Sequence, residues 1–360
     1  MLKSKGKISI KQLMIIFIIA VYTPSARFLP TYVAGEAKQA AWLSPVVTLI
    51  IFLAIVYASS KLFKKYNTQS YAEILNDITS RFIGKVIVLF YIIWVTYLLV
   101  WYVRFYGETL VTLVYPNVDI NIFLIVLLYL VSIAIKSGVV IIARMSEAIF
   151  LIVTISITVI IALMIPDIKI GNITPISTLD VVPIFKGSIG STSLICLPCL
   201  FFFSHEWTRK NEFLIQGFKA GFYIFFLETL IILACIGKLG HTIISNSSLS
   251  FWISVKNVEL LGFLSGMESL LLSAWLLTDF VIITILTYSV LNMFKSLFNL
   301  NDYKPFINIH LVIIYLISWI VAKNIWELGE LGSAIGVYMD FFLATLPIFI
   351  FLVGRIRKKI

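Results

Sequence analysis

Ten mostly apolar stretches follow one another along the chain, at about 9–29, 41–60, 84–107, 119–136, 142–165, 189–204, 218–239, 265–291, 306–323 and 333–354. Roughly 20 apolar residues cross the hydrocarbon of a bilayer as a helix. The pattern therefore predicts an all-α polytopic membrane protein with ten transmembrane helices. Polar positions fall between the runs, and most connections are short. Two longer ones stand out. Residues 166–188 hold Pro166, Pro175 and Pro183 and predict an irregular loop. Residues 240–264 carry Asn246, Ser247 and Ser248 before Phe251 and Trp252, which predicts a helix lying along the membrane surface. Between runs six and seven, residues 205–217 mix charge with Trp207, Phe213, Leu214 and Ile215, the pattern of an interfacial amphipathic helix.

Two of the runs are interrupted. The first is aliphatic from Leu13 to Val21 and then reads Tyr-Thr-Pro-Ser-Ala-Arg-Phe-Leu-Pro from Tyr22 to Pro30. Proline has no N–H and clashes with the carbonyl four residues back, so Pro24 and Pro30 predict a break. The sixth run opens on Gly187, Ser188, Gly190, Ser191, Thr192 and Ser193 and meets Pro198 near its middle. The second break starts five spans after the first, so the broken spans enter the bilayer from opposite sides. Interrupted spans at corresponding positions of two opposed halves point to a transporter's binding site, because freed backbone groups there can meet a solute. The expected architecture is a single domain over 1–360 built as a 5+5 inverted repeat, about 9–165 and 189–354, with helices one and six broken.

Charge tests the span count. With the N-terminus on the cytoplasmic side, 20 of the 28 Lys and Arg fall in segments on that side and 6 on the other, with Arg27 and Arg104 inside spans. That asymmetry follows the positive-inside rule and puts both termini in the cytoplasm. The chain is 60% hydrophobic and 13% charged, against about half and a quarter for a soluble domain. Its net charge of +10 does not signal nucleic acid, because the basic residues cluster at span ends. The N-terminal lysines followed by apolar residues predict an uncleaved first helix.

Ionisable groups inside a bilayer are costly and mark function by default. Glu228 and Asp279 lie near the middles of spans seven and eight and are candidates for a proton relay. Asp340 sits about two turns from the end of span ten. Arg27 falls in the first break, with Glu36 or an acid on another span as its partner. Arg104 and Glu108 share a helix face and can pair. Cys196 and Cys199 form a C-x-x-C, yet they lie in an apolar segment with no second Cys or His pair. No cofactor or metal is expected. His205, His241 and His310 lie far apart, and no nucleophile–base arrangement predicts an enzyme.

The opening Gly6–Leu13 (G-K-I-S-I-K-Q-L), Leu29-Pro30, Ala40–Ser44 (A-A-W-L-S) and Met267–Phe280 (M-E-S-L-L-L-S-A-W-L-L-T-D-F) together resemble the spore germination permease family. These are the B subunits of nutrient germinant receptors. The resemblance implies the fold of the amino acid–polyamine–organocation transporter superfamily and the inner membrane of the spore. It also implies A-type and C-type receptor subunits as partners, and a small nutrient, often an amino acid, as ligand. The chain departs from the family's pattern at the first break, where Pro24, Ser25, Ala26 and Arg27 stand in place of glycine and threonine.

The resulting expectation is a germinant-sensing membrane subunit whose ligand lies between the breaks. Thr23, Pro24, Ser25, Ala26 and Arg27 supply one wall and Ser191, Thr192 and Ser193 the other. Cys196, Leu197 and Phe201 give the apolar side, and Thr278 and Thr284 complete it. The rival readings are a proton-coupled amino acid permease using Glu228 or Asp279, and a scaffold whose pocket is vestigial.

Overall fold

The computed structural model describes residues 6–256, 266–331 and 334–360. A two-residue strand, β1 (Ile8–Ser9), leads into α1 (Ile10–Arg27). Ser9 starts that helix through a capping box, its hydroxyl accepting from the Gln12 N–H while the Gln12 side chain accepts from the Ser9 N–H at 3.0 Å. From Leu13 to Val21 helix α1 is apolar on every side. A helix with no polar face is buried on all faces, and α1 packs among α7 (Val139–Met164), α10 (Phe213–Leu239) and α13 (Met267–Phe298).

The remaining elements follow in chain order. α2 (Leu29–Ala37) continues the first span, and α3 (Ser44–Lys65) is the second. α4 (Tyr71–Ile78) is short, α5 (Arg81–Leu113) is the third span, and α6 (Ile120–Ser137) precedes α7. The sixth span divides into α8 (Val181–Ser193) and α9 (Leu197–Leu200), and ends in β2 (Trp207–Thr208) before α10. α11 (His241–Ser245) and α12 (Ser250–Lys256) precede α13. α14 (Ile307–Ile320), α15 (Ile325–Leu331) and α16 (Ala334–Ile356) complete the chain.

Among the described residues nine helical stretches are long and apolar enough to cross a membrane. The expected ninth span, Lys304–Ile320, is apolar but shorter. Exposed Ile, Leu, Val and Phe side chains cover the outside of the bundle, as a lipid-facing surface requires. This is an integral membrane protein.

The first break sits later than Pro24 suggests. Helix α1 runs through Pro24 to Arg27, and the turn falls at Phe28, whose N–H still donates to the Pro24 carbonyl at 2.9 Å. Pro30 then stands in the first turn of α2, where its missing N–H costs nothing. In span six the helix stops at Ser193 and resumes at Leu197, one residue before Pro198.

Three connections also differ from expectation. Residues 205–217 form no amphipathic helix. Arg209 takes a left-handed turn, β2 pairs in parallel with β1, and α10 begins at Phe213. Trp207 and Phe213 are drawn into a buried aromatic cluster with Phe63 and Phe201, and an interfacial helix would expose them. Residues 166–180 are irregular, as expected, but span six starts at Val181. The helix expected in 240–264 appears as the short α11 and α12, and its final part lies outside the described residues.

The bundle is closed on the face that carries the termini. There Ile8 pairs with Trp207 and Ser9 with Thr208. Above that strand pair, Tyr71 sets its ring edge-on against Phe201 and Phe202. The Tyr288 hydroxyl donates to Glu206 at 2.6 Å.

Candidate binding site

Two buried carboxylates, Glu228 and Asp279, organise the core. Glu228, on α10, is 1% exposed and is held by both broken spans at once. The Ser25 hydroxyl of α1 donates to one oxygen at 2.6 Å, and the Ser191 hydroxyl of α8 to the other at 2.7 Å. Asp279, on α13, takes the Arg27 guanidinium in a two-pronged bond, at 3.2 and 2.8 Å. The forked, planar guanidinium matches a carboxylate edge for edge. Arg27 also lies 4.6 Å from the Trp275 ring centre and 5.2 Å from that of Phe105. Its charge is thus matched by a carboxylate and two rings.

A third carboxylate, Asp340 of α16, is partly exposed and faces a cavity of about 330 Å³. The walls come from the start of α2, the middle of α5, the end of α8 and the start of α16, with Ser248 and Ile325 at the rim. The cavity lies on the face opposite the termini. Below it Ser193, Cys196, Cys199, Ile282 and Asp340 line a smaller chamber of about 40 Å³. The aromatic cluster then blocks the way.

The expected site residues divide between a packed cluster and this cavity. Thr23 and Thr278 hydrogen-bond to each other, and Ser25, Arg27 and Ser191 pair as above. None of these five lines the cavity. Pro24 and Ala26 are buried in α1, and Leu197 is buried in α9. Phe201 belongs to the aromatic cluster. The Thr192 and Thr284 hydroxyls are buried with no partner among the described residues. Ser193 alone of the set lines the larger cavity, and its hydroxyl donates to the Gly190 carbonyl at 2.6 Å.

The cavity walls add residues that the sequence reading left out, Tyr32, Tyr97, Trp101 and Tyr102, and bring in Asp340, which it had singled out only as an ionisable group of span ten. A signal was present. Trp94, Tyr97, Trp101 and Phe105 recur at three- and four-residue steps, which places them on one face of α5. Of these, Trp94 donates its indole N–H to Asp340 at 2.6 Å.

The spore germination protein family model matches residues 7–325. This chain belongs to the spore germination permease family. Within that family it is similar to spore germination protein KB of Bacillus subtilis (strain 168), with 22% identity over 99% of this chain and 96% of that protein. Among solved structures it is similar to a manganese transporter of Eremococcus coleocola, with a TM-score of 0.64 and 10% identity over 97% of this chain and 79% of that one. It is also similar to the substrate-bound, outward-open state of a Na⁺-coupled sialic acid symporter, with a TM-score of 0.63 and 12% identity over 96% of this chain and 80% of that one. At such identity the likeness shows the fold alone, that of an amino acid–polyamine–organocation transporter. The family and the fold make this a germination-related, permease-like membrane protein. Among the described residues no three His, Cys, Asp or Glu side chains converge as metal ligands would.

Proposed function

We propose that this spore germination permease is the membrane subunit of a nutrient receptor, binding a small nutrient in the cavity between its two broken spans. The observation that carries this reading is the cavity itself. It is open on the face away from the termini and sealed by aromatic packing on the face that holds them. A pocket of this size and mostly apolar lining suits a small solute. In the proposed orientation the termini are cytoplasmic, the membrane is the spore's inner membrane, and A-type and C-type subunits complete the receptor.

The test is Ser193→Phe in spores. Phenylalanine there fills the cavity, and overpacking of about 1–3 kcal/mol falling on the bound state weakens binding ~5- to 150-fold. Mutant spores then require that much more nutrient, at normal abundance of the chain and normal nutrient-independent germination. An unchanged nutrient requirement at normal abundance would overturn the reading.

One observation favours the alternative, a proton-coupled permease. Glu228 joins both broken spans, so its protonation changes how they are held together. Uptake of labelled nutrient into vesicles separates the two, because only the permease accumulates it.

A further inference from the structure

The cavity has an unusual chemical balance. Its ring surface comes from Phe28, Tyr32, Tyr97, Trp101, Tyr102 and Phe105, and its single charged wall residue among those described is Asp340. Among the described residues no lysine or arginine lines it. The other two core carboxylates are already answered, Asp279 by Arg27 and Glu228 by two serine hydroxyls. Asp340 differs. Among the described residues its only bond is from the Trp94 indole to one oxygen, and no basic side chain lies within ion-pair distance.

A carboxylate at membrane depth without a cation is costly, and its partner is ordinarily an opposite charge nearby. Aromatic faces attract cations through their quadrupoles, most strongly where water is excluded. This chain already uses that attraction behind the cavity wall, where the Arg27 guanidinium lies against the rings of Trp275 and Phe105. An anionic group entering the cavity would find no counter-charge among the described walls and would meet the Asp340 carboxylate.

We propose that the cavity is selective for a small organic cation, an ammonium group on an apolar body that carries no carboxylate. The ammonium donates to Asp340 and the apolar body lies against the rings of α2 and α5. This names the ligand class of the nutrient site and rests on that reading for its biological meaning, though the binding chemistry stands on the cavity alone.

The experiment uses the full chain purified in lipid nanodiscs, with thermal unfolding as readout, since a ligand that binds only the folded state raises its stability. Three probes share one ring and chain: phenethylamine, phenylalanine and 3-phenylpropionate. Phenethylamine is expected to raise the melting temperature in a saturable way, and 3-phenylpropionate to leave it unchanged. Phenylalanine should bind at least tenfold more weakly than phenethylamine, as its carboxylate meets Asp340. Asp340→Asn should weaken phenethylamine at least about tenfold, the loss of a hydrogen bond to a charged group. Should Asp340→Asn fail to fold, Val337→Phe decides, since it fills the same wall of α16 and keeps the carboxylate; it should abolish the phenethylamine shift. The inference is overturned if 3-phenylpropionate or phenylalanine stabilises as well as phenethylamine does. It is equally overturned if phenethylamine gives no shift, or acts unchanged on a folded Asp340→Asn or Val337→Phe protein. Spores report separately on the receptor reading: a cation that binds in nanodiscs, yet leaves the nutrient response of spores carrying Asp340→Asn untouched, removes that reading and leaves the cation site standing.

Discussion

Arg27 and Asp279 are each at most 2% exposed, so neither charge has water to fall back on. Removing one partner of such a pair strands the other, which typically costs about 3–5 kcal/mol, whereas replacing both with apolar groups is often neutral. Arg27→Met is therefore expected to lower the unfolding temperature sharply and reduce abundance. Arg27→Met combined with Asp279→Leu should recover most of the loss. Equal losses in the single and double variants would show that the pair is not what holds α1 to α13. Glu228 poses a different question. Glu228→Gln keeps the shape and one acceptor for the two serine hydroxyls but cannot ionise. If the proton-coupled reading holds, the variant loses any pH dependence of its response at normal abundance. Persisting pH dependence would remove Glu228 from that role.

At the scale of elements, α8 meets α2 through a glycine. A Cβ on Gly190 would run into the Tyr32 ring, closer than real contacts allow. Gly190→Ala therefore pushes that ring aside at one wall of the cavity. An overpacking cost of about 1–3 kcal/mol and a weaker ligand response are expected, read by thermal unfolding and by the nutrient requirement of spores. Wild-type behaviour in both would show that Tyr32 yields freely. Both breaks were legible in the sequence because proline and clustered glycines have a local mechanism. The position of the first was not, since a helix can pass through Pro24 when neighbouring helices hold it, and four residues of slippage leave no local trace. Helix α4 was overlooked although its signal is local: the Ser70–Glu73 capping box, then Tyr71, Ile74, Leu75 and Ile78 on one buried face. The amphipathic helix expected at 205–217 failed for the opposite reason. Its apolar residues serve a tertiary aromatic cluster, which a helical pattern cannot reveal.

For the whole molecule, hydropathy alone carried the fold, because a bilayer forces each apolar run to satisfy its own backbone as a helix. The partition of the site into a packed cluster and an open cavity was not legible. Ser25 and Ser193 have the same chemistry in sequence, and only packing sends one to Glu228 and the other to the cavity wall. The proposed sidedness rests on the distribution of the basic residues. In a background without the native cysteines, Lys358→Cys should resist a membrane-impermeant thiol reagent in intact cells while Asn246→Cys reacts. Labelling of Lys358→Cys from outside would overturn the proposed orientation. The Arg27–Asp279 pair has one more consequence, an electrical one. Moving one elementary charge across 100 mV is worth about 2.3 kcal/mol. A guanidinium and a carboxylate that travel together carry no net charge, so a rearrangement of α1 with α13 moves no gating charge from this pair. The core can change shape without drawing on the membrane voltage, and a collapsed or restored potential leaves this pair's share of the conformational balance where it was.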